Sequence, residues 1–207
     1  IGENYPGAVF STLLTITGTH DTARELTLPG VSEEEWHMDR ASRAHYTLPM
    51  DRLETAKRKL KLAAVIQFTM PGSPTIYYGD EAGRQGFEDP FNRRTYPWGA
   101  EDRELLAFYR RLCALRADSE TLARGDLRFV ESSGALLHYE RVSDHTRLHI
   151  LVNRGHHAVE TRVDAVYAVD MLENAEFDRA DSRGVYVTIP PETAYILRCF
   201  GTPLKED

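Results

Sequence analysis

Apolar and polar positions change period along this chain, and the change divides it in two. Near the start, Leu13, Leu14 and Ile16 form a short apolar run closed by Gly18, which predicts a buried strand over about residues 12–18. A polar stretch follows, and then "MDRLETAKRKLKLAAVIQFTMPG" carries Leu53, Ala56, Leu60, Ala63, Ala64 and Phe68 on one face at helical spacing. Asp51 and Glu54 make a capping-box-like start to that helix, and Pro71-Gly72 stop it. "TIYY", residues 75–78, predicts a second strand closed by Gly79. Residues 101–117 predict a second helix, acidic at its start (Glu101, Asp102, Glu104) and basic later (Arg110, Arg111, Arg116), as the helix dipole favours. This β-α-β-α order is the repeating unit of a parallel α/β sheet or barrel.

From about residue 126 the period falls to two. "DLRFVE", "ALLHYERV", "TRLHILVN", "VYAVDML", "GVYVTI" and "TAYILRCF" alternate like strands, separated by turn-rich pieces such as Ser132-Ser133-Gly134 and Asn153-Arg154-Gly155. Short strands without helices imply a β-sandwich of about 80 residues. The boundary falls near Ala117–Gly125, which divides the chain into residues 1–120 and 121–207. The run "SEEE" at 32–35 reads as a solvated face, and no internal repeat is present.

Composition narrows the function classes. The 207 residues are 42% hydrophobic and 28% charged, with no apolar run of membrane-crossing length. A formal charge of −7 disfavours the phosphate contacts that dominate nucleic-acid binding and suits a neutral substrate. Cys113 and Cys199 form no CxxC pair and read as buried reduced thiols, which leans towards the cytoplasm. The chain starts at Ile1 with no signal-peptide pattern, so a fragment without its true N-terminus is expected.

Chemistry is expected where both first-half strands end. His20-Asp21-Thr22 follows one and Asp80-Glu81 the other, and parallel neighbours open their loops onto the same face. Plainer readings stand beside this one: Asp21 or Thr22 as the N-cap of "ARELTL", and Asp89 paired with Arg93 for structure alone. His20, His37, His45 and the His156-His157 pair lack the spacing of a zinc motif, so no metal site is expected.

Taken together, "GTHDTAR" and "PGSPTIYYGDEAGRQGFEDPFNRRTYPW" resemble the fourth conserved region and the eighth-strand segment of the alpha-amylase family of glycoside hydrolases, family 13. The resemblance covers residues 8–117, while the following strands match that family's C-domain in kind and position. In wording the motifs are nearest the neopullulanase, cyclomaltodextrinase and maltogenic amylase branch. The resemblance implies an α/β plus all-β fold: the last two βα units of a (β/α)8 barrel, then an antiparallel β-sandwich C-domain.

The resemblance also implies roles. Asp21 becomes the transition-state stabiliser and His20 a donor to a sugar hydroxyl at subsite −1, with Asp89 and Arg93 binding substrate at about subsites −2 and −3. Tyr77, Tyr78 and Glu81 become barrel core and loop scaffolding. The substrate implied is an α-glucan oligosaccharide or polysaccharide (maltodextrin, cyclodextrin or pullulan) cleaved with retention. A glucanotransferase or isomerising enzyme on the same scaffold, or a non-catalytic α-glucan-binding or assembly module, is the alternative. Tyr139, Tyr167, Tyr186 and Tyr195 alternate with apolar residues and read as core more than as a sugar platform.

A retaining glycosidase needs two carboxyl groups about 5–5.5 Å apart. The family's nucleophile and acid/base regions have no match in this chain, and Asp80 and Glu81 match a different part of the pattern. The chain alone is therefore expected to be inactive. No cofactor is evident, and calcium would fall to the missing N-terminal part. Unpaired barrel edges imply self-association, with the β-sandwich expected to be the better-folded part.

Overall fold

A computed structural model describes residues 6–178 and 184–201, Phe10 as backbone alone. The first half opens with a short helix α1 (Gly7–Thr12) that the apolar pattern does not reveal, and strand β1 is correspondingly brief (Leu14–Ile16). It pairs in parallel with β2 (Ser73–Thr75), Leu14 opposite Ser73 and Ile16 opposite Thr75. Two expectations are corrected here. The strand predicted at 75–78 lies earlier, because beyond Thr75 the chain leaves the ladder and the Tyr78 carbonyl accepts from Arg24 instead. Leu13, Leu14 and Ile16 are exposed rather than buried, at 41%, 61% and 44%. In β1 the half-buried position is Thr15, so the alternation turns Leu14 and Ile16 to the other, uncovered face.

Between these strands lie α2 (Glu33–Trp36), α3 (Arg40–His45) and the long α4 (Met50–Thr69). "SEEE" is more than a solvated run: Ser32 and Glu35 close a capping box on α2, and Glu35 takes a two-pronged bond from Arg52 at 2.7 and 2.6 Å. Conversely, Asp51 and Glu54 form no box on α4, whose cap is Pro49; Glu54 pairs with Lys57 at 3.0 Å. At the other end, Arg116 donates to the carbonyls of Phe68, Met70 and Gly72, closing the carbonyls that a helix C-terminus leaves open. After β2 come a short 3-10 turn (Phe91–Arg93), α5 (Arg103–Asp118), capped by Asp102, and α6 (Glu120–Arg124), capped by Ser119.

The second half is the antiparallel part. Strands β3 (Asp126–Ser133), β4 (Leu136–Val142), β5 (Arg147–Asn153), β7 (Tyr167–Asp170), β8 (Glu176–Asp178) and β10 (Thr193–Phe200) form one sheet in the order β3-β4-β5-β10-β7-β8. The remaining pair, β6 (Val159–Val163) and β9 (Val185–Ile189), makes a second sheet. Strands β6 and β8 add to the six read from the sequence. Polar residues fill their outward positions and thin the alternation.

Period two gives the large sheet two working faces. Tyr139, Leu148, Ile150, Val152 and Ile196 pack with Val65 and Phe68 of α4 and Phe108, Tyr109 and Leu112 of α5. The opposite face, with Leu136, Leu151, Ala168 and Leu197, packs on Val163, Val185, Val187 and Ile189 of the small sheet. One continuous core therefore crosses the boundary expected near residue 120, and helices rather than a second sheet cover half of the sandwich. Tyr139 lies wholly inside this core and shares a hydrogen bond with the Thr69 hydroxyl. Cys199 is half-buried and Cys113 exposed, so the reading of two buried thiols fails for Cys113, which lies outside the buried stripe of α5; both are unpaired in disulfides. Among the described residues no helix is long and apolar enough to cross a membrane.

Candidate active site

The segment after β1 has no regular structure, and its shape comes from its own threonines. Thr22 Oγ1 accepts from the Thr19 amide at 3.0 Å, and Thr19 Oγ1 accepts from the Asp21 amide at 3.1 Å. Such side-chain turns replace the ladder bonds that the chain loses on leaving a strand. They present His20 and Asp21 outward, with Nε2 3.3 Å from Oδ1 and side chains 64% and 73% exposed. The N-cap alternative finds no helix to cap, since residues 25–30 form successive turns.

The 89–94 segment closes on this loop from the side. Arg93 Nε donates to Asp89 Oδ1 at 2.9 Å and to the His20 carbonyl at 3.3 Å, and Arg93 Nη2 stands 4.0 Å from Asp21 Oδ1. All four residues singled out in the sequence thus meet in one exposed cluster. Asp89 and Arg93 do pair, as the plainer reading has it, and the pair also reaches Asp21. Two carboxylates and one guanidinium leave this cluster with a single net negative charge. That balance suits a neutral, hydroxyl-bearing ligand that gains positive character as it reacts.

Beneath the exposed cluster lies a buried layer that motif reasoning passed over. Arg24 is 1% exposed; its Nε donates to the Asn92 carbonyl at 2.7 Å, and its Nη1 to the Tyr78 carbonyl at 2.6 Å and Asp80 Oδ1 at 3.1 Å. The Tyr77 and Tyr78 rings flank its guanidinium at 4.1 and 4.7 Å. These tyrosines are scaffold for an arginine rather than barrel core, and Glu81 accepts from the Gly79 amide as loop scaffolding. Burial raises the Asp80 carboxyl to about 7, against the opposing pull of Arg24 and with help from Glu25. Burial raises Glu25 as well, against a hydrogen bond from Thr17. Gly18 makes room for this layer: a Cβ there would stand 2.8 Å from Asp80 Oδ2. Asn92 is wholly buried and donates to the carbonyls of Thr19, His20 and Thr22. Arg24 and Asn92 lie inside the quoted motifs, and the signal for them was a charged and an amide side chain fixed between apolar and proline-bounded neighbours. Among the described residues no group of three or more His, Cys, Asp or Glu side chains is placed to hold a metal ion.

Comparison with known proteins bears on this geometry. No family model matches the chain. It is 39% identical over 142 residues to an amylopullulanase of Thermoanaerobacter thermohydrosulfuricus, covering 68% of this chain and 9% of that protein. It is 31% identical over 197 residues to a cyclomaltodextrinase of Geobacillus thermopakistaniensis, covering 91% of this chain. The chain belongs to the alpha-amylase family. The fold agrees, with a TM-score of 0.72 over 92% of the chain against the alpha-amylase of Geobacillus thermoleovorans at 20% identity. Within the family, the cyclomaltodextrinase relative falls in the branch that the motif wording indicates. The chain spans 29% of the length of that family member and 39% of the solved amylase. In family terms it holds the C-terminal part of the barrel and the C-domain.

Proposed function

We propose that these 207 residues are the C-terminal segment of a retaining α-glucan hydrolase that acts on maltodextrin, cyclodextrin or pullulan. The observation that carries the reading is the convergence of His20, Asp21, Asp89 and Arg93 in one exposed cluster at the end of β1. In this reading Asp21 accepts hydrogen bonds from sugar hydroxyls at subsite −1, and those bonds strengthen as the ring flattens towards an oxocarbenium ion. His20 donates to a neighbouring hydroxyl. Asp89 and Arg93 orient glucosyl units on the donor side. The nucleophile and the general acid/base come from outside this segment, so the segment alone is inactive. The uncovered face of β1, with Leu14 and Ile16, drives self-association of the isolated segment; a compact monomer by light scattering across the micromolar range would remove that part of the proposal.

The test is maltodextrin hydrolysis by the full-length gene product, by its Asp21→Asn variant and by this chain alone. Activity in the full-length product that falls by about a thousandfold in Asp21→Asn supports the assignment, a loss of about 4 kcal/mol of transition-state stabilisation. Hydrolysis by the 207-residue chain itself would place the catalytic carboxylates among its own residues and refute the division of labour.

A further inference from the structure

The strand-end loop that carries His20 and Asp21 is held by one side chain more than by any other. Asn92 Nδ2 stands 2.8 Å from the His20 carbonyl, 2.7 Å from the Thr22 carbonyl and 3.4 Å from the Thr19 carbonyl. The two short contacts use both amide hydrogens, and they fall on the carbonyls either side of Asp21. With both carbonyls turned inward, the Asp21 side chain stands outward, 73% exposed. Asn92 itself is fixed from behind, because its carbonyl accepts from the buried Arg24. Its Oδ1 has no hydrogen-bond partner, so the carboxamide is oriented by its donors alone. A flipped amide would set an oxygen against three carbonyl oxygens, which decides the assignment. Gly86 admits this arrangement: a Cβ there would stand 2.3 Å from the Phe91 carbonyl, inside the turn that bears Asn92.

We propose that Asn92 is a positioning residue for Asp21 and His20, its carboxamide clamping the backbone carbonyls on both sides of Asp21. The inference rests on the reading of His20 and Asp21 as the pair that meets substrate. Its physical content is preorganisation: exposed reacting groups are held to within a fraction of an ångström by buried partners, and a misplacement of about 1 Å costs about a hundredfold in rate.

The test is Asn92→Asp, which keeps size and shape but replaces both donors with an acceptor. In the 207-residue chain, amide hydrogen exchange at Asp21 and Thr22 should rise at least about tenfold while the buried amides of α4 stay protected. In the full-length gene product, kcat counted per folded molecule should fall by about 10- to 100-fold with KM nearly constant; counting only the folded fraction removes the loss that unfolded enzyme would give. Unchanged exchange at residues 19–22 overturns the clamp. Unchanged kcat in Asn92→Asp beside an inactive Asp21→Asn overturns the inference and leaves the site reading standing; full activity in both variants removes the site reading itself. Should Asn92→Asp not fold, the wild-type chain still decides, because the clamped carboxamide protons must exchange more slowly than those of the exposed Asn174. Equal rates would refute the clamp.

Discussion

His138 and His149 meet across β4 and β5, with Nε2 of the first 2.9 Å from Nδ1 of the second, and both rings are at least 98% buried. One ring donates and the other accepts, an arrangement for two neutral imidazoles. Burial pulls His138 down to about 4, with Glu131 opposing; burial, then His138 and Arg147, pull His149 down to about 3. In the unfolded chain each sits near 6.5. A base depressed on folding contributes stability that is present above its unfolded value and lost as pH falls towards its folded one. Between pH 8 and pH 5 linkage gives a loss of about 2 kcal/mol per ring, about 4 kcal/mol for the pair. Asp80 works the other way. Its carboxyl is raised to about 7 on folding, so acidification to pH 5 returns about 3 kcal/mol. A raw stability profile mixes these opposed contributions, and only a difference between proteins separates them. His138→Leu/His149→Leu places apolar side chains on the face that already holds Leu136 and Leu151. Measured by urea unfolding at both pH values, wild type should lose about 4 kcal/mol more than the double variant on acidification. Equal losses would refute the claim that the sheet holds both rings neutral. A wild type that gains on acidification relative to the double variant would show that Glu140, whose Oε1 is 3.5 Å from His149 Nε2, wins over burial.

Two further outcomes follow from the shared core. Tyr139→Phe removes the buried hydroxyl bonded to Thr69, which keeps its bond to the Val65 carbonyl; a cost of about 1 kcal/mol is expected in urea unfolding, and no cost would show the bond contributes nothing net. Against the sequence expectation that the β-sandwich is the better-folded part, the isolated segment 121–207 exposes Tyr139, Ile150 and Ile196 and should bind an apolar dye and melt without cooperativity; a sharp calorimetric transition would show that the sheets stand without α4 and α5.

Long periodic stretches were legible in the sequence. Helix α4 ends before Met70 as Pro71-Gly72 imply, although Pro49 rather than an Asp51-Glu54 box caps its start, and the six strong alternations became strands. The short parallel pair was less so: β1 and β2 have three residues each, too few for periodicity to tell which face is covered. At the site, His20, Asp21, Asp89 and Arg93 were legible because they stand in motif wording, and they converge. Arg24 and Asn92 stand in the same wording without their roles being legible, and Asp80 was read only as a strand-end carboxylate, since a buried polar residue is defined by the partners that surround it, and those lie 54 to 73 residues away in sequence. The domain boundary was drawn where the period changes, but packing ignores that line: Phe68 and Phe108 share a core with Ile150.

That shared core sets a rule for recombining such proteins. A C-domain that buries one face of its sheet on two barrel helices is no interchangeable cassette; exchanged between relatives at the period change, it would arrive without its counterpart. Chimeras cut instead before α4, carrying Val65, Phe68, Phe108 and Leu112 together with Tyr139, Ile150 and Ile196, keep the joint intact, and the unit of inheritance for this half of the chain is the joint rather than the sandwich.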